Sequence, residues 1–161
     1  ERSRRIKTTG RVSVVNIKGF IQDHPLFRGV DGASTDWLAS CAQAVTYQAG
    51  DFLLRTGKPA DHLFLIVRGR VSIEAPPAGD KGAIIIQTLA DGDTVGWSWM
   101  LAPFTWNLDA RALEKVEVVT LDAIKLRARL EADVPMAAKL YRRFSEVMLQ
   151  RIHAMRKQLY E

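Results

Sequence analysis

Cysteine is almost missing from this chain: Cys41 is the only one in 161 residues. A single thiol excludes any disulfide within the chain. In the small-residue stretch Trp37-Leu38-Ala39-Ser40-Cys41-Ala42 it reads as a packed structural thiol. A reducing compartment fits, and the expected location is the cytoplasm. Long apolar runs are missing too. Nothing reaches the ~18 residues of a membrane span, and the start Glu1-Arg2-Ser3-Arg4-Arg5 lacks an apolar signal segment. Histidine is sparse. His24, His62 and His153 fall in a helix end, a strand start and a long helix, too scattered to converge on a metal. No Ser–His–Asp pattern, Walker loop or Cys pair occurs. No enzyme activity, no metal and no cofactor are expected.

What is present is ordinary for a globular domain: 47% hydrophobic and 25% charged residues. The length suits one domain, large enough to bury roughly 70% of its unfolded surface. The net charge of +5 is localised. Arg2, Arg4, Arg5, Lys7 and Arg11 form one basic cluster; Lys139, Arg142, Arg143, Arg151, Arg156 and Lys157 form another. They read as a solvated tail and a solvated helix face. The alternative is a footprint for nucleic acid or an acidic partner, although neither cluster is interleaved with aromatics.

Residues 1–15 show no period and read as a basic arm. Asn16 to Gln22 reads as a short helix ending before His24-Pro25. Ser34 or Thr35 is expected to cap a second helix running to about Ala44. From Val45 the texture becomes short β-rich runs: Val45–Gln48, Phe52–Arg55, His62–Val67, Arg70–Glu74, Ala83–Thr88, Asp93–Gly96 and Val116–Leu121. Gly, Pro or Asp bounds each, which predicts an antiparallel sandwich or roll. Helix returns at Asp122–Leu130. Asp133 then caps a helix of ~25 residues, ~38 Å long. Its stripe of Ala137, Tyr141, Phe144, Met148, Ile152, Met155 and Leu159 exceeds what one small roll can cover. Dimerisation through Tyr141, Phe144, Met148, Ile152, Met155 and Leu159 is therefore expected, with packing inside one chain as the alternative.

The run Gly50-Asp51-Phe52-Leu53-Leu54-Arg55-Thr56-Gly57, continuing through Asp61-His62-Leu63-Phe64-Leu65-Ile66-Val67-Arg68-Gly69, carries a resemblance. Over roughly residues 20–160 the chain resembles the cyclic-nucleotide-binding domain of catabolite-activator-type regulators and kinase regulatory subunits. The resemblance implies a mainly β fold with flanking helices, an antiparallel double-stranded β-helix (jelly roll) plus a long C-terminal helix. The implied division is arm 1–15, roll 16–133 and helix 134–161.

In that family a cassette of Gly-Glu, a short helix and Arg followed by Ala, Ser or Thr holds the ligand. The Glu takes the ribose and the Arg the cyclic phosphate. The equivalent stretch here is Gly96-Trp97-Ser98-Trp99 through Trp106-Asn107-Leu108-Asp109-Ala110-Arg111-Ala112. Counting back from Ala112–Asp122, Gly96 keeps its place, Trp97 replaces the Glu and Trp106 replaces the Arg. The Gly-Trp-Ser-Trp variant resembles that of a group of small bacterial proteins of this type. Gly96, Trp97, Ser98, Trp99, Trp106, Asn107 and Arg111 are the candidate pocket set. Strand alternation turns Arg111 away from Trp106, beside Asn107 and Asp109, where an Asp109–Arg111 surface pair is expected. The tryptophans fill the old pocket, wall a site for a planar or apolar ligand, or face a protein partner.

These features point to a non-enzymatic regulatory or sensor module with poor cyclic AMP binding. Two alternatives are a genuine cyclic-nucleotide effector domain and a ligand-free dimeric interaction module. A homodimer, a small-molecule ligand and a protein partner are the expected contacts. Neither a membrane nor a DNA-binding domain is expected in this chain.

Overall fold

The computed structural model describes residues 16–161, so the basic arm read over 1–15 lies outside the described residues. Helix α1 (Ile17–Asp23) is capped by Asn16, whose side chain accepts from Gly19 N. A 3-10 turn, Pro25–Phe27, leads to α2 (Gly32–Ser40). Asp31 caps α2, not Ser34 or Thr35; its Oδ1 accepts from Ser34 N at 2.7 Å. The expected continuation to Ala44 also fails. Cys41 ends the helix and Ala42 already pairs with Leu121, because the strand ladder outcompetes one more helical turn. Cys41 itself is half-buried.

The β region forms two four-stranded antiparallel sheets. One has the order β1 (Ala42–Tyr47), β8 (Val116–Asp122), β3 (His62–Arg68), β6 (Thr94–Val95); the other β2 (Phe52–Leu54), β7 (Asp109–Ala112), β4 (Val71–Ala75), β5 (Ile84–Leu89). Strands β3 and β8 read as near-continuous apolar runs for a reason. Leu63, Phe64, Leu65 and Ile66 are all buried, which requires cover on both faces of β3. The turn glycines Gly50, Gly57 and Gly69 adopt φ of +87°, +81° and +113°, a region glycine enters without Cβ strain. Strand β7 is absent from the β-rich runs of the sequence because Asp-Ala-Arg-Ala has neither branched nor aromatic residues. Pairing with β2 and β4 holds it extended.

Helix α3 (Ala123–Ala132) buries Ala123, Leu126 and Leu130. Asp133 Oδ1 accepts from Met136 N at 3.1 Å and starts α4 (Val134–Gln158), 25 residues long. The apolar stripe of α4 divides. Met136, Ala137, Leu140 and Phe144 are buried against their own chain, and Met148 packs on the same core. Tyr141, Leu149, Ile152 and Leu159 are exposed. Of the residues expected to face a second copy, Phe144 is thus spent on the monomer's core. A helix that docks on its own roll must turn one side inward.

Candidate functional site

The segment between β6 and β7 is held at both limbs. Gly96 leaves β6 with φ +79°, and a 3-10 turn at Ser98–Met100 follows. The returning limb zips onto the turn after β2. Ala60 N donates to Phe104 O at 2.7 Å, Trp106 N to Lys58 O at 3.0 Å, and Gly57 N to Trp106 O at 2.8 Å. Arg127 of α3 clamps the middle. Its Nη1 donates to Trp99 O at 2.8 Å and Ala60 O at 3.2 Å, and its guanidinium stacks 4.1 Å from the Phe104 ring centroid.

These constraints leave a cavity of about 180 Å³ bordered by Leu54, Ile73, Ile86, Trp97, Trp106 and Met155, and also by Gly96, Ser98 and Asn107. Trp106 is almost fully buried, its ring 6.3 Å from that of Phe64. A Cβ at residue 96 would collide with that ring, so the glycine gives Trp106 room as well as turning the chain. Trp106 therefore occupies interior space beside Gly96.

The structure brings together five of the seven pocket residues read from the sequence: Gly96, Trp97, Ser98, Trp106 and Asn107. Two depart. Trp99 is fully buried and meets Phe144 of α4 edge-on at 5.4 Å. Arg111 leaves the site: its Nη2 donates to Glu74 Oε1 at 2.5 Å, and Glu74, only 1% exposed, also accepts from Ser72 Oγ at 2.9 Å. The expected Asp109–Arg111 pair does not form. Asp109 Oδ1 accepts from Thr56 N at 2.7 Å and lies 3.7 Å from Arg55 Nε. Asn107 borders the same cavity as Trp106 because β7 begins only at Asp109, so strict alternation does not reach back to 107.

The sequence reading missed Arg151, assigned there to a solvated basic face. It borders this cavity, and it also borders a second one of about 310 Å³ between His24, β5, the Gly92–Thr94 turn and α4. Arg151 is 8% exposed, donates to Thr94 O, and lies 4.7 Å from the Trp97 ring centroid. Burial pushes its guanidinium down to about 10, which leaves it charged at neutral pH. A signal was available: Arg151 stands seven residues, two helical turns, after Phe144. Met155, expected at a dimer seam, follows it one turn later and borders the same cavity.

The comparisons agree with this architecture. Residues 44–133 match the model of the cyclic nucleotide-binding domain. Cyclic nucleotide-gated ion channel 18 of Arabidopsis thaliana is 28% identical over 141 residues, covering 82% of this chain and 19% of the channel. The chain spans about a fifth of the length of such curated relatives. Among solved structures, a cyclic nucleotide-binding domain from Methylobacillus flagellatus superposes with a TM-score of 0.73 at 20% identity, over 89% of this chain and 80% of that one. The sensor domain of the transcriptional regulator DNR from Pseudomonas aeruginosa gives 0.70 at 20% identity, over 84% and 91%. At such identities the structures speak for the fold alone. On the family match, which covers more than half of its length, this chain belongs to the cyclic nucleotide-binding domain family.

Proposed function

We propose that the chain is a non-enzymatic regulatory or sensor module, a jelly roll of cytoplasmic type, whose Gly-Trp-Ser-Trp cassette holds cyclic AMP and cyclic GMP poorly. The observation that carries this is the position of Trp106. Its indole fills the interior beside Gly96, at a position to which the resemblance assigns the phosphate-pairing arginine. Trp97 stands at the place of the ribose-binding glutamate, and Arg111 cannot compensate because Glu74 on the other side of the sheet holds it. Each lost charge-assisted hydrogen bond removes ~1.5–3 kcal/mol, and every ~1.4 kcal/mol is tenfold in affinity. The cavity, at about 180 Å³, is also smaller than the ~300–1,000 Å³ of ordinary ligand clefts.

A homodimer through the outward face of α4 belongs to this reading. Tyr141, Leu149, Ile152 and Leu159 form an exposed apolar series on a helix whose other side is already committed.

Thermal-shift titration with cyclic AMP and cyclic GMP tests the proposal. A ligand at ~100 times its Kd adds ~2.7 kcal/mol to stability, a shift of several degrees. The expected result is no saturable shift at millimolar nucleotide. The double variant Trp97→Glu, Trp106→Arg is expected to gain at least about tenfold in cyclic AMP affinity. Saturable stabilisation of the unaltered chain by either nucleotide overturns the proposal and makes it an ordinary nucleotide sensor with unusual contacts.

A further inference from the structure

Among the described residues, Arg151 is the one charged side chain bordering the tryptophan-walled cavity. Among the described residues its guanidinium has a single hydrogen-bond acceptor, the Thr94 carbonyl, although five N–H groups are available. No carboxylate lies within ion-pair distance of it among those residues; Asp93 is the acidic group whose field reaches it. Buried cations are ordinarily paired, because an unpaired charge loses its hydration without compensation. Nor are the remaining donors sealed in protein. Among the described residues, the fully buried polar side-chain atoms without a partner are Trp99 Nε1 and Glu117 Oε2, and no Arg151 nitrogen is among them. The guanidinium is thus open to the cavities it borders. Stacking on Trp97 holds it in place there.

The rest of the wall sets the other half of the chemistry. Leu54, Ile73, Ile86, Trp106 and Met155 present apolar and aromatic surface, and the polar side chains beside them, Gln87, Ser98 and Asn107, are uncharged. The volume admits a ligand of one or two small rings and little more. One cation calls for one anionic group, and a planar carboxylate matches the guanidinium fork in geometry. Resting on the reading of the cassette given above, we propose that this cavity binds a small planar apolar monocarboxylate, its carboxylate on Arg151 and its ring between Trp97 and Trp106.

Isothermal titration of the whole chain with phenylacetate, phenylacetamide, acetate and cyclic AMP tests this. Phenylacetate is expected to bind saturably. Phenylacetamide should bind at least about tenfold more weakly, the low end of a charge-assisted hydrogen bond, and acetate should not saturate. Arg151→Gln is expected to erase the preference for acid over amide, and Arg151→Lys to keep a reduced one. Should Arg151→Gln fail to fold, nuclear Overhauser contacts in the unaltered protein decide. Contacts from the phenylacetate ring to the Met155 methyl and the Trp97 indole support the site; a bound ring lacking them overturns it. Equal affinity for acid and amide, a preference that survives Arg151→Gln, or no saturation by phenylacetate also overturns it. The cyclic AMP arm separates the two proposals. Saturable cyclic AMP binding sinks the reading of the cassette, whereas failure of phenylacetate alone sinks only the monocarboxylate site.

Discussion

Phe144 of α4 meets Trp99 of the cassette turn edge-on, with ring centroids 5.4 Å apart and planes at 65°, and both rings are fully buried. The long helix is therefore seated directly on the 3-10 turn that follows β6. Two turns further on, Arg151 closes the same relation over Trp97. Cassette and helix form one packed unit, so a change in either is felt by the other.

Phe144→Ala is expected to destabilise the protein by ~3–5 kcal/mol, the usual cost of emptying a packed aromatic site. Paired with Trp99→Ala, the double-mutant cycle should return a coupling of ~0.5–1.5 kcal/mol beyond additivity. Urea unfolding of the four proteins measures both quantities. Strict additivity would mean that the edge-on contact contributes nothing of its own.

Acid should loosen the N-terminal helices first. His24 is buried with both ring nitrogens engaged: Nε2 faces Gly92 O at 2.8 Å, and Nδ1 accepts from Leu26 N at 3.1 Å. Only the neutral ring with its proton on Nε2 satisfies both. Burial accordingly lowers its pKa from the ordinary 6.5, against the opposing pull of Gly92 O and Asp93. The unfolded chain then binds more protons than the folded one between the lowered value and 6.5, so stability rises with pH in that window. The contribution is complete above 6.5 and is lost as pH falls below it. Urea midpoints across this range should follow that slope, and His24→Gln should flatten it.

The pair on the outer face of the second sheet is structural. Removing Arg111 leaves Glu74 buried with Ser72 as its remaining side-chain partner. Arg111→Ala is expected to cost ~2–4 kcal/mol, below the full penalty of a stranded buried charge because the guanidinium is itself 40% exposed. Arg111→Ala together with Glu74→Leu should recover much of that loss. Ligand affinity of the cavity should be the same in all of these variants, as chemical denaturation and titration run side by side will show.

A charge placed on the outward side of α4 separates association from folding. Ile152→Glu is expected to shift sedimentation of the protein from dimer to monomer with little change in melting temperature, because Ile152 is 53% exposed in the single chain. Phe144→Glu on the inward side should unfold the domain instead. A monomer at every concentration for the unaltered chain would discard the dimer proposal.

Much of the framework was legible in the amino-acid order. Turn glycines at 50, 57 and 69 demand backbone conformations that other residues resist. The runs around β3 and β8 carry the burial of central strands, and Asp133-Val134-Pro135 marks the start of α4 within a residue. That Gly96, Trp97 and Trp106 belong together was also readable, and in the structure the three border one cavity. Periodicity, however, states which side of its own element a residue occupies, and never what covers that side. Arg111 finds Glu74 only through the β4–β7 register, between residues 37 positions apart. Arg151 looked like one cation among several on a basic helix. Docking of α4 through Phe144 turned it inward, stripped most of its water, and set it between the tryptophan cavity and its neighbour.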